Sequence, residues 1–306
     1  MRPFISTIKE FQRLTYLCIN KKLDVLFYIR QNKMSFDGKL KAQSILETYK
    51  NFDWSKCKLV IIQANDDDSS DSFIKQKLIA CNTVGAKSEL IKLSNQITQA
   101  ELIEKIISLN HDVNVTGIIL QLPVYPHLDK NSLLEAINPL KDVDGLTTNH
   151  LAEIKPCIVE AIITLKELFN LEFNNQKIVV VGLGITGGKP IYEFLKTSGY
   201  KVQACDKDTP NTFELIKSAD IVFTAIGKSH FFQAKNFKKG VILFDIGVSR
   251  NKQNKLCGDI NPEGIEKKAR WWTKTPGGVG PFTVLAIIKN LWILHEKNKR
   301  CLQSSI

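Results

Sequence analysis

Residues Gly182-Leu-Gly184-Ile-Thr-Gly187 follow directly on the apolar run Lys177-Ile-Val-Val-Val181 and lead into a helical stretch from about Pro190 to Ser198. A strand, a glycine turn and a helix in that order constrain a chain more than any composition does. Gly182 permits the tight turn, Gly184 lets backbone approach a pyrophosphate, and Gly187 allows a helix to pack closely on a strand. The first amides of the helix then face the phosphates. Lys201–Cys205 is the next strand, and Asp206 stands at its end, 24 positions after Gly182. A carboxylate there accepts hydrogen bonds from ribose hydroxyls and repels a 2′-phosphate, which favours NAD over NADP.

The same rhythm runs through the rest of the chain. Lys58–Gln63 and Val115–Leu122 are apolar runs of strand length, and helical stretches lie at 38–52, 71–82, 99–110 and 157–170. Thr98 with Glu101, and Ser132 with Glu135, have the spacing of capping boxes. Ile221–Ile226 and Val241–Asp245 are further strands, and an amphipathic helix covers about Thr283–Asn298. Alternating strands and helices imply parallel sheets covered on both faces. With 306 residues the chain has room for about two such domains.

Composition narrows the function. No window approaches the ~18 uninterrupted apolar residues of a membrane span. The seven cysteines are scattered without a C-x-x-C pair, which argues against a disulfide framework or a zinc site and for a reducing, cytoplasmic setting. The net charge is +11, of which +5 falls in residues 1–33. The remainder has no arginine-rich block, so anionic small molecules fit this field better than nucleic acid. Residues 1–33 are basic and acid-poor, and three readings stand for them: an organelle-targeting peptide, an upstream start, or an extra helix.

Several further segments, in order, resemble the methylenetetrahydrofolate dehydrogenase/cyclohydrolase (FolD-like) family. They are Asp37-Gly38-Lys39, Gln121-Leu-Pro123, Lys141-Asp142-Val-Asp144-Gly145, Ala225-Ile-Gly227, Asp245-Ile-Gly247, Gly258-Asp259 and Pro276-Gly-Gly-Val-Gly-Pro-Phe-Thr283. The resemblance implies an α/β fold of two domains with a cleft between them. Residues 34–155 with 283–306 would form the catalytic domain and 156–282 a Rossmann-type NAD(P)-binding domain, after an extension at 1–33. It implies oxidation of 5,10-methylenetetrahydrofolate to the methenyl form, hydrolysis of that to 10-formyltetrahydrofolate, and a homodimer. It also implies that Lys77 is the catalytic amine, with Gln121 beside it, and that Asp144 anchors the pterin. Ser70, Phe73 and the Pro276, Gly277, Gly278 loop would line the folate, and Gly227 would join Gly182, Gly184, Gly187 and Asp206 around the cofactor. No metal is implied.

Four positions depart from the family pattern. Phe73 replaces a tyrosine, and Pro156-Cys157-Ile158-Val159-Glu160-Ala161 replaces Pro-Cys-Thr-Pro-x-Gly. Leu183 stands where the family has an arginine suited to a 2′-phosphate, and Asp206-Lys207 where it has His-Ser. The last two changes both point to NAD. The first two leave open a dehydrogenase-only relative and a non-catalytic NAD-binding derivative.

Overall fold

A computed structural model describes residues 35–36 and 38–303 of the chain. Residues 1–33, with their three readings, and Asp37 lie outside the described residues. The chain opens with strand β1 (Ser35–Phe36) and helix α1 (Lys39–Thr48). It then packs as two units, one of 44–157 with 284–303 and the other of 38–43 with 158–283.

The first unit is built on β2 (Lys58–Gln63), α2 (Asp68–Val84), β3 (Lys87–Lys92), α3 (Gln99–His111), β4 (Gly117–Gln121) and α4 (Lys130–Glu135). Its three strands are parallel in the order β3-β2-β4. Every residue of β4 is buried, as the unbroken apolar run requires of a parallel strand covered on both faces, and the Ile118↔Asp142 bridge covers its outer edge. The outer strand β3 carries lysines and a glutamate and is largely exposed, which suits an edge. Helix α2 begins at the Asp67 cap, which accepts from Ser70 N, and stops at Gly85 in the left-handed region. Helix α3 has the capping box expected from Thr98 and Glu101.

The box expected from Ser132 and Glu135 does not form. Asp129 caps α4 instead, accepting from Asn131 N at 3.2 Å and Ser132 N at 3.1 Å. Glu135 turns away and accepts from Thr148 N at 3.0 Å. A carboxylate three residues upstream is an N-cap at least as strong as serine, and it starts the helix earlier.

The second unit comprises α5 (Cys157–Leu168), β5 (Ile178–Val181), α6 (Gly188–Thr197), β6 (Val202–Cys205), α7 (Thr212–Ser218), β7 (Ile221–Thr224) and β8 (Val241–Asp245). A small antiparallel pair follows, β9 (Ser249–Arg250) with β10 (Leu256–Cys257), then β11 (Ala269–Thr273). The six-stranded sheet is parallel throughout, in the order β1-β11-β8-β7-β5-β6. Strand β1 pairs with β11 in this sheet, and residues 35–36 and 38–43 pack with the second unit. Two residues make too short a strand to register as a period in sequence. Helix α8 (Gly280–Gln303) ends the described chain, and from residue 284 it belongs to the first unit. Among the described residues no helix is long and apolar enough to cross a membrane.

Candidate active site

In the first unit the chemistry gathers at the carboxyl ends of β2 and β4, where open parallel sheets place their ligands. Gln63 and Gln121 end these strands in register. Helix α2 lies against them with Ile74, Lys77 and Cys81 on its buried stripe. Lys77 is 9% exposed, and its Nζ donates to Gln121 Oε1 at 3.0 Å. Gln121 Nε2 in turn donates to Leu122 O at 2.8 Å, which fixes the amide's orientation. Phe73, half-buried, stands one turn before Lys77 on the same helix face. Ser70 is buried in the first turn, where its Oγ donates to Asp67 Oδ2 at 3.0 Å and reinforces the cap.

The two aspartates of Lys141-Asp142-Val-Asp144-Gly145 separate by environment. Asp142 is 2% exposed; its Oδ1 accepts from Gly145 N and its Oδ2 from Thr147 N, each at 2.9 Å. Burial nonetheless holds its carboxyl above the usual range. Gly145 sits at φ +67° with Lys155 and Pro156 backbone pressed against its α-carbon, so a side chain there would collide. Asp142 therefore builds the turn, while the Asp144 carboxylate accepts no hydrogen bond among the described residues and is only half-buried. The bridge Ile118↔Asp142 is parallel, which puts Asp144 level with the end of β4.

Lys141, from the same motif, closes α3 by donating to Leu109 O at 2.8 Å and Asp112 O at 2.6 Å. Its role is structural.

Two supporting groups escape a reading of the sequence. Gln63 is fully buried and donates to Asp71 Oδ1 at 2.6 Å, while Asn65 Nδ2 donates to Pro123 O at 2.6 Å. The first bond ties β2 to α2, and the second holds Pro123 from the β2 side. The signal is a polar residue closing the otherwise apolar run of β2. Asn290, 1% exposed on α8, donates to Val143 O at 2.9 Å and Lys155 O at 3.0 Å, bracketing Asp144 from both sides. Its signal is one amide on the apolar face of a helix.

The second unit holds the glycine turn. Gly182 has φ +88°, its N–H donates to Cys205 O at 2.8 Å, and a side chain there would strike Ala225 O. In front of Gly184 the space is open, with nothing within 4 Å of a Cβ built there. Helix α6 starts at Gly187, which offers no capping side chain. Close helix–strand packing falls one residue later than expected. A Cβ at Gly188 would land on the Gly182 carbonyl oxygen, whereas one at Gly187 would meet Ala225 Cβ at an ordinary 3.4 Å. An open cradle at a helix start without a capping side chain fits the pyrophosphate of a dinucleotide.

Asp206 is exposed and follows the residue whose carbonyl holds Gly182. Its Oδ1 accepts from Thr209 Oγ1 at 2.7 Å and Asp208 N at 3.0 Å, bonds that hold the carboxyl below its usual range. Its Oδ2 accepts nothing among the described residues. Gly227 has φ +66° in the loop after β7. Pro276, Gly277 and Gly278 lie in this unit too, after β11, with Gly277 O accepting from Gly38 N and Gly278 against Lys274 O. The structure thus gathers Ser70, Phe73, Lys77, Gln121 and Asp144 in one unit and the remaining candidates in the other.

The profile of the tetrahydrofolate dehydrogenase/cyclohydrolase catalytic domain matches residues 29–144, and that of the same family's NAD(P)-binding domain matches 156–299. The chain belongs to this family. Bifunctional protein FolD of Mycoplasma pneumoniae is 65% identical over 267 residues, covering 87% of this chain and 99% of the relative. Among solved structures, the bifunctional FolD of Campylobacter jejuni superposes with a TM-score of 0.81 at 30% identity, over 87% of this chain and 99% of that one. The Trypanosoma brucei dehydrogenase-cyclohydrolase, complexed with NADP cofactor and inhibitor, gives 0.80 at 26% identity, over 88% and 98%.

Membership in the tetrahydrofolate dehydrogenase/cyclohydrolase family accounts for two motifs that carry no obvious chemistry. Asp245 closes β8, 2% exposed, and accepts from Thr224 Oγ1 at 3.1 Å and Asp259 N at 2.9 Å. A side chain at Gly258 would fall on the Asp245 carboxylate, and one at Gly247 on that of Asp259. Burial, with the Asp259 charge beside it, pushes Asp245 up to about 8. Because the folded value is raised, the contribution of Asp245 is full in acid and is lost as pH climbs from the ordinary carboxylate range through about 8. Thermal melts of Asp245→Asn should therefore fall less steeply than those of the parent between about pH 4 and 8. Parallel curves would contradict this assignment.

Proposed function

We propose that this chain oxidises 5,10-methylenetetrahydrofolate with a nicotinamide dinucleotide and hydrolyses the methenyl product to 10-formyltetrahydrofolate. The buried Lys77–Gln121 pair at the end of β4 is the observation that carries this proposal. An amine held by a neutral amide, one turn from an aromatic ring, is equipped to handle protons at a folate's one-carbon bridge. Phe73 supplies a face for the flat substrate by stacking. Asp144, with both carboxylate oxygens uncommitted, accepts from the pterin's amino group and adjacent ring nitrogen. Ser70 holds the first turn of α2, and with it the spacing of Phe73 and Lys77.

Held by Gly182, Gly184 and Gly227 of the second unit, a nicotinamide dinucleotide would supply the hydride acceptor for the methylene carbon. The hydrolytic step then belongs to the chain's own residues. Water adds its oxygen to the methenyl carbon, the bond from that carbon to N5 breaks, N5 gains a proton and one proton leaves. Lys77 Nζ accepts from the attacking water and returns the proton to N5, while Gln121 keeps the amine in place through both transfers.

For the dinucleotide, Gly182, Gly184 and the α6 amides take the pyrophosphate, and Gly227 lines the loop beside it. Asp206 Oδ2 accepts from the adenosine ribose, so NAD is preferred to NADP. A spectrophotometric assay with each dinucleotide, following methenyl formation and decay, tests both halves. Formation without decay would leave a dehydrogenase alone, and binding without either would leave a non-catalytic derivative. In the same assay Asp206→Ser should shift the NAD/NADP ratio of kcat/KM toward NADP by about tenfold. An unchanged ratio would remove Asp206 from cofactor choice.

A further inference from the structure

Asp259 is fully buried, yet the charged side chain has no cationic partner among the described residues. Its carboxylate is held by backbone alone. Oδ2 accepts from Ile226 N at 2.7 Å and Oδ1 from Lys228 N at 2.8 Å, the residues on either side of Gly227. Lys228 Nζ turns elsewhere, standing 5.6 Å over the Phe231 ring. Consecutive amides wrapped around one anion make a backbone nest, with the anion supplied by the chain itself.

The clamp is in turn fixed from below. Asp259 N donates to Asp245 Oδ1 at 2.9 Å, and Asp259 O accepts from Phe232 N at 2.9 Å. Gly247 and Gly258 leave room for the two carboxylates and no more. The loop so held begins at Ala225, whose carbonyl oxygen presses on the α-carbon of Gly182. Removing the carboxylate would leave two partly buried amides without this acceptor unless the loop turns to find others.

We propose that Asp259 is a positioning residue for the dinucleotide, its carboxylate setting the backbone of the Gly227 loop against the Gly182 turn. The inference rests on the reading that this glycine turn holds the dinucleotide. It separates the motifs' duties: Gly227 faces the ligand, and Gly247, Gly258 and Asp245 exist to seat Asp259.

The test uses the full chain carrying Asp259→Asn, which keeps the size but turns an amide toward one of the two backbone donors. Its KM for the dinucleotide should rise about tenfold or more, with kcat at saturating dinucleotide within about threefold of the parent. A purely structural role would lower active enzyme, and hence kcat, without moving KM. Gly247→Ala displaces the same carboxylate without removing it and should raise KM in the same direction. It decides the matter if Asp259→Asn does not fold. Gly184→Glu, which fills the open cradle, is run alongside. A raised KM in Gly184→Glu with an unchanged KM in folded Asp259→Asn, or in Gly247→Ala where the former does not fold, overturns the inference alone. An unchanged KM in Gly184→Glu shows that the dinucleotide sits elsewhere, and the inference falls with that reading.

Discussion

Lys77→Gln should reduce hydrolysis of 5,10-methenyltetrahydrofolate by about 10²–10⁴-fold, the range a positioned proton-transfer group supplies. Dinucleotide affinity should stay within about threefold, because Lys77 lies in the unit that does not carry the glycine turn. Glutamine is the informative replacement. It leaves no charge in a site that is 9% exposed, and its amide can still reach toward Gln121. The fold should therefore survive, and a melting temperature close to the parent's would show that chemistry, not folding, was lost. Hydrolysis at the parent's rate by the folded variant would end the role given to Lys77.

Gly188→Ala should have the next largest effect. The added methyl would occupy the position of the Gly182 carbonyl oxygen, and neither atom is on a flexible side chain. Helix α6 or the turn must move, at a cost of about 1–3 kcal/mol or more by the usual penalty for overpacking. Titration with NAD should show affinity reduced about tenfold or more. Gly187→Ala, whose methyl would meet Ala225 Cβ at 3.4 Å, should stay within about threefold. Equal affinities for the two variants would mean that the turn does not set the phosphate site.

These two positions also show what a sequence discloses. The strand–turn–helix around Gly182 was legible because glycine at a left-handed φ and glycine at a close approach both leave a mark in residue type. The mark does not say which of two adjacent glycines does the packing, and the work falls to Gly188, not Gly187. Lys77 and Gln121 were legible only through resemblance, since nothing local tells a buried lysine on α2 from an exposed one. Their contact joins residues 44 positions apart.

The short strands β1 and β11 left no period to read, because two residues in one case and a Trp-rich five in the other pair only through tertiary contact. The α4 cap was misplaced for a simpler reason: serine and glutamate at the right spacing are common, and a nearer aspartate competes. Gln63, Asn290 and Asp259 escaped as functional candidates because their importance is conferred by what they hold. A supporting residue has no chemistry of its own to advertise.

The bonds from Asn290 to Val143 and Lys155 span 147 and 135 residues of chain. Everything from Ile158 to Thr283 packs as part of the other unit, so that intervening stretch is available to settle as soon as it leaves the ribosome. The strap that steadies the Asp144 turn is synthesised after the whole of that stretch. During translation, the Asp144 turn therefore waits for Asn290, and the half that is read first is finished only after the second unit has been read.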